Sequence, residues 1–213
     1  MMKTNFLVVT FLCLVSISTG LAQQKIRHFR TRELQEKAVV FNRKVSFTED
    51  AIYFDSQPGD GFLRINDFIF KNGTIEADIK GKSPEQNFVG IAFHGVNDST
   101  YDAIYFRPFN FENPNRKDHS VQYISHPTYT WDKLRADSPG KYEKALQVVP
   151  NPNDWFHVRI EVKFPTVKVF VNNTPEPVLT VNQLNTNQTG WLGFWVGNYS
   201  DGYFKNLRIM STP

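Results

Sequence analysis

WFHVRIEVKFPTVKVFVNNTPEPVLTVNQLNTNQTGWLGFWVGNYSDGYFKNLRI (155–209) decides the fold. Its first eight residues alternate strictly, with Phe156, Val158, Ile160 and Val162 on one face and Trp155, His157, Arg159 and Glu161 on the other. That period of two belongs to a half-buried β-strand. KVFVNN (168–173) repeats the alternation and ends in Asn172-Asn173, residues that tolerate the positive φ of a tight hairpin turn. LTV (179–181) returns, and GWLGFWVG (190–197) and YFKNLRI (203–209) complete a set of short strands punctuated by glycine.

Working outward, the same texture covers the chain from residue 38. GTIEADIK, FVGIAFH, YDAIYF and SVQYI are separated by clusters such as SQPGDG and NGT. Many short, regularly spaced strands without helical periodicity predict an all-β, two-sheet antiparallel sandwich. Residues 23–37 are polar and charged, and are expected as a loose N-terminal arm or a short helix. Residues 1–22 read as a signal peptide: Lys3 is basic, Phe6 to Ile17 is apolar but short for a membrane span, and Gly20 and Ala22 sit at −3 and −1 of a cleavage site. The expected organisation is therefore signal 1–22, arm 23–37 and one domain over 38–213, exported to the periplasm or the extracellular space, with no membrane span once the signal is removed.

The single cysteine, Cys13, would leave with the signal, so no disulfide, thiolate nucleophile or cysteine ligand is expected. Without Lys3, 23 basic residues face 21 acidic ones. A charge near +2 is no electrostatic footprint for nucleic acid. Aromatics are abundant, with 19 Phe, 8 Tyr and 4 Trp. Most belong to a core, although Tyr and Trp also serve surfaces that stack on the C–H faces of sugars.

GTIEADIKG (73–81), FVGIAFHG (88–95), YDAIYFRPFNF (101–111), VQYISHPTYTWDKLR (121–135), PGKYE (139–143), NDWFHVRIEV (153–162), VKVFVNN (167–173) and GWLGFWVGNYSDGYFKNLRI (190–209) resemble the concanavalin A-like lectin/glucanase superfamily. Within it, the chain is most similar to exported bacterial laminin-G-like domains and the 3-keto-disaccharide hydrolase group. The resemblance implies a jelly-roll sandwich whose concave face is the usual carbohydrate site, and it implies no particular reaction.

Strand parity then nominates side chains. His94, Tyr105, Arg107, Gln122 and Trp195 fall on the face opposite the bulky apolar one, interspersed with Gly90, Ala92, Ala103 and Gly193. Small residues leave room, rings offer stacking planes, and His, Arg and Gln offer directed hydrogen bonds, a mixture suited to a neutral or mildly acidic sugar. Residues 107–153 form one long irregular excursion, the kind of loop that often carries function. Folded over that face, it would add Asn110, Trp131, Arg135, Tyr142 and Glu143 to the rim, and WDKLR is expected to form a helical turn. Alternatively the excursion covers the face, and His94 and Arg107 satisfy loop carbonyls.

Catalysis stays open at this level. Glu76 and Asp78 lack the third carboxylate of a retaining glucanase strand, because Ile79-Lys80-Gly81 follows. His94 is the candidate general base or acid, with Glu143 as its partner carboxylate and Arg107 stabilising a developing anion. No Asp-rich loop of metal-binding spacing occurs; calcium would have only loop oxygens of Asp60, Asp98 or Asp201, without a specific site. Three functions are consistent with these features: a carbohydrate- or glycoside-binding protein, a glycoside hydrolase or lyase of the 3-keto-disaccharide type, and a laminin-G-like adhesive module.

Overall fold

The computed structural model describes residues 25–212; the predicted signal segment lies outside them. In chain order the elements are β1 (Lys25–Phe29), α1 (Thr31–Lys37), β2 (Ala38–Phe41), β3 (Val45–Phe47), β4 (Ile52–Gln57) and β5 (Gly61–Ile65). Next come β6 (Asn72–Lys80), β7 (Val89–Asn97), β8 (Thr100–Phe106), β9 (Val121–His126), α2 (Trp131–Asp137) and β10 (Glu143–Lys144). The last third supplies β11 (Phe156–Lys163), β12 (Thr166–Val171), β13 (Leu179–Asn182), β14 (Trp191–Val196) and β15 (Ser200–Thr212).

Among the described residues these strands make two antiparallel sheets, so the chain is an all-β sandwich. One sheet has the order β13-β12-β11-β6-β15-β4-β3, with β1 also on β15; the other runs β10-β9-β8-β7-β14-β5-β2. The turn after β12 places Asn172 and Asn173 at φ of 49° and 58°, as their side chains permit. Part of the expected N-terminal arm is not loose: β1 pairs from Lys25↔Ser211 to Phe29↔Leu207. Burial of Phe29, whose ring meets Phe68 edge-on, ties it down, and α1 follows as a short helix holding Leu34 in the core.

The core lies between the sheets. Phe194 of β14 stacks on Phe204 of β15 at 4.6 Å between ring centroids, and Phe106 meets Phe156 edge-on at 5.2 Å. Those contacts fix the parity of the seven-stranded sheet. Leu63, Phe194, Ile91, Ile104 and Tyr123, which lie opposite one another across neighbouring strands, face inward. The next row, Phe41, Phe62, Trp195, Gly90, Tyr105, Gln122 and Glu143, therefore faces outward.

Candidate functional site

The outward row builds the floor of a cleft. Gly90 has no side chain between its neighbours, so the Tyr105 and Trp195 rings meet above it with centroids 5.1 Å apart. A Cβ at Gly90 would sit 2.1 Å from the Ile104 carbonyl oxygen, so the close strand approach itself requires glycine. Trp195 donates from Nε1 to the Tyr101 hydroxyl at 3.2 Å. Both Tyr105 and Trp195 are buried, so they shape the bottom and are not the open stacking planes expected from sequence. Burial pushes the Tyr105 hydroxyl up to about 12, so it stays protonated.

Arg107 leaves the end of β8 on the same side. It donates to the Tyr105 hydroxyl, to Gln122 Oε1 at 2.9 Å and to the His119 carbonyl at 2.9 Å. Two short 3₁₀ turns, Pro108–Asn110 and Lys117–His119, fold the excursion back along the sheet. Asn110 donates to the His119 carbonyl at 3.1 Å, leaving its buried Oδ1 without a partner among the described residues.

Helix α2 forms the opposite wall. Its Trp131 is 47% exposed and is the open ring of the site. The Arg135 guanidinium lies 4.9 Å from the Trp131 centroid and grips Glu143 through two bonds, Nε to Oε1 at 2.9 Å and Nη2 to Oε2 at 2.7 Å. Glu143 Oε2 is also 2.9 Å from His119 Nδ1 and 3.8 Å from Arg107 Nη1. Burial drives the Glu143 carboxyl upward, but Arg135 and His119 outweigh it and hold the group below its ordinary value. Glu143 is thus an ionised anchor for the wall.

These groups surround a cavity of about 600 Å³ lined by Phe88, Phe109, Asn110, Trp131 and the cationic Arg107, Arg116 and Arg135, with His119 beside them. Phe88, Trp131 and Asn198 are shared with a smaller recess of about 80 Å³ that reaches Tyr105, Trp195, His126 and Asp60. The structure therefore brings together Tyr105, Arg107, Asn110, Gln122, Trp131, Arg135, Glu143 and Trp195.

Two nominated residues lie elsewhere. His94 is fully buried within β7, where the pairing slips between Phe93 and Asn97 and φ of His94 is 51°. A bulge inserts a residue and re-aims the side chains beyond it. Gly95 now underlies Trp191, and the His94 ring packs against Phe93 and Phe70. Its Nε2 lies 2.6 Å from the Lys71 carbonyl and its Nδ1 2.8 Å from Gln183 Nε2, so neither ring nitrogen is free to take a proton from a substrate. Burial lowers its pKa further, which keeps it neutral. The proposed acid or base at His94 is corrected accordingly.

Tyr142 is the second correction. Because Glu143 pairs with Gln122 on the outward row, its neighbour Tyr142 turns inward, and its ring lies 5.9 Å from that of Tyr123. Conversely, sequence reasoning missed His119, Arg116 and Phe88. The first two stand in PFNFENPNRKDH, within the excursion already singled out, but without strand periodicity nothing assigned them a side.

Glu76 and Asp78 lie on the outward face of the other sheet, bonded to Arg208 at 2.9 Å and to His157 at 2.8 Å. The three loop aspartates are separately engaged: Asp60 with Tyr101, Asp98 with Arg64 and Asp201 with Lys82. Among the described residues no group of three or more His, Cys, Asp or Glu could hold a metal ion. No helix among them is long and apolar enough to cross a membrane.

Residues 27–210 match the model of a family described as the 3-keto-alpha-glucoside-1,2-lyase-like domain. No curated protein matches the chain. Among solved structures, the carbohydrate-binding module CBM66 from Bacillus subtilis is 16% identical, with a TM-score of 0.60 over 81% of this chain and 95% of that one. A putative glycosyl hydrolase from Parabacteroides distasonis is 14% identical, with a TM-score of 0.60 over 88% of this chain and 100% of its own. The exoplasmic/lumenal domain of VIP36, in a Ca²⁺/Man3GlcNAc-bound form, is 10% identical, with a TM-score of 0.58 over 84% of each chain. Identities this low establish the shared sandwich and nothing finer.

Proposed function

The chain belongs to the 3-keto-alpha-glucoside-1,2-lyase-like family, and from that premise we propose that it is an exported protein, periplasmic or extracellular, that binds a carbohydrate in the cleft between α2 and the outward face of the seven-stranded sheet. One observation carries this reading: the open ring of Trp131 shares a cavity of about 600 Å³ with Arg107, Arg135 and Asn110. An indole face packs on pyranose C–H groups, while guanidinium and amide groups fix hydroxyl positions. The names of the carbohydrate-binding module and of the glycan-bound lumenal domain point the same way, and the apolar leader supports export. A glycan array probed with the purified chain tests it. Trp131→Ala should weaken any hit by roughly tenfold, the scale of one aromatic contact, without altering the melting temperature. Unchanged binding by that variant removes the cleft from the reading.

A second reading, catalysis on a glycoside, rests on His119. Its Nδ1 lies 2.9 Å from Glu143 Oε2, and the half-buried ring borders the cavity. An imidazole so oriented is suited to taking a proton from a carbon next to a ketone, with Arg107 or Arg135 beside the oxyanion that develops. Product analysis with a 3-keto-glucoside separates the readings. Turnover that His119→Ala abolishes while binding persists supports catalysis, and binding without any product supports the binding protein alone.

A further inference from the structure

We infer that the ligand of this cleft is an acidic sugar, one bearing a carboxylate or a sulfate ester; the inference rests on the sugar-binding reading above. Electrostatics carries it. Three arginines, Arg107, Arg116 and Arg135, line the cavity, and among its described lining residues there is no aspartate or glutamate. The nearby carboxylate, Glu143, is 2% exposed and already gripped by two Arg135 bonds. Three guanidinium charges against one carboxylate leave the lining net positive, with Arg116 exposed, Arg135 half-buried and Arg107 buried. Asp60 lines the small recess, where the Tyr101 hydroxyl donates to it at 2.9 Å.

Arg135 spends Nε and Nη2 on Glu143, which leaves Nη1 for a ligand. Arg116 is exposed and makes no ion pair with any described residue. Arg135, fixed by Glu143, presents a planar donor fork that matches carboxylate and sulfate oxygens, and the exposed Arg116 adds a second guanidinium at the rim. Neutral hydroxyl recognition does not need such a concentration of one sign. Alongside, the unpartnered buried Oδ1 of Asn110 is an acceptor for a sugar hydroxyl, and Trp131 supplies the ring.

The test is binding by the whole chain to three matched glycan sets: uronate-containing oligosaccharides, their carboxyl-reduced neutral counterparts, and sulfated oligosaccharides. The expected result is binding to one acidic set, weaker by on the order of tenfold for the neutral counterparts and weakening as salt rises. The acidic set preferred identifies the anionic group. Arg116→Gln, at an exposed position that does not hold the fold, should lower that affinity several-fold. Arg135→Gln should do so more strongly, although it also frees Glu143. Equal binding of neutral and acidic sets, or no effect of Arg116→Gln, overturns the acidic-sugar inference and leaves sugar binding standing. Binding to none of the three removes the sugar reading and the inference together.

Discussion

Replacing Asp102 by asparagine should change how the stability of this protein depends on pH. Asp102 is fully buried on the inward side of β8, where Gln183 Nε2 donates to it at 2.6 Å and Asn185 Nδ2 donates as well. Burial pushes its carboxyl up to about 6 from 3.8, against bonds from Ser125, Gln183, Tyr123 and Asn185 that pull it down. The folded state therefore holds this proton more tightly than the unfolded chain does. Its stabilising contribution is fully present below about 3.8 and lost as pH rises through about 6. About two units at 1.36 kcal/mol each amount to about 3 kcal/mol in full, of which about 2 kcal/mol is lost between about pH 4 and about pH 8. Asparagine does not titrate, so the difference between the wild type and Asp102→Asn isolates this group. Asparagine presents an NH2 group where one of the two oxygens accepted, so one of the bonds donated by Gln183 and Asn185 is lost at a cost of about 1–2 kcal/mol; the variant should be the less stable protein in acid and gain on the wild type as pH rises. For a domain of this size the relative gain is about 4–8 °C in melting temperature, read by calorimetry at about pH 4, 6 and 8. A difference between the two proteins that stays constant over that range would show that Asp102 titrates alike folded and unfolded, and the reasoning from burial would fail.

Other expectations concern separate parts of the molecule. Gly95→Val should destabilise by about 1–3 kcal/mol in urea, because even a Cβ there would sit 1.9 Å from Trp191 Cε2 and drive the indole off its stack on Phe62. Phe194→Ala should cost about 3–5 kcal/mol, since it empties the centre of the core opposite Phe204. On the outer sheet, the Asp78 hydrogen bond raises the pKa of His157 and His157 lowers that of Asp78. Proton NMR should find His157 titrating above an ordinary histidine, and Asp78→Asn should return it toward 6.5. The stability this pair supplies is present between the ordinary carboxylate and histidine values; it fades as pH climbs through the raised histidine value and as pH falls through the lowered Asp78 one; an unshifted His157 would contradict the bond.

The sandwich was legible because most strands bury one face, and a period of two survives in the sequence wherever that holds. The same parity placed Tyr105, Arg107, Gln122 and Trp195 on one side correctly. It failed at His94, where the pairing of β7 with β14 takes in one extra residue; the glycine after it, with Gly190-Trp191 opposite, was the available sign that backbones meet closely there. Tyr142 and Glu143 could not be told apart without the pairing of Glu143 with Gln122. Arg116 and His119 had no periodicity to assign them a direction, and only the 3₁₀ turns of the excursion bring them to the cleft. How far the Tyr105 and Trp195 rings are covered was equally hidden, since parity gives a side of the sheet and says nothing of depth.

The antiparallel match of Lys25 with Ser211 brings the two ends of the described chain side by side on the sheet away from the arginine cleft. Traction applied at those two points would open β1 from β15 one bond at a time, like a zipper, without shearing a whole strand at once. The same neighbourhood makes either end a convenient handle: immobilised there on a sensor, the molecule would present its cleft to the liquid.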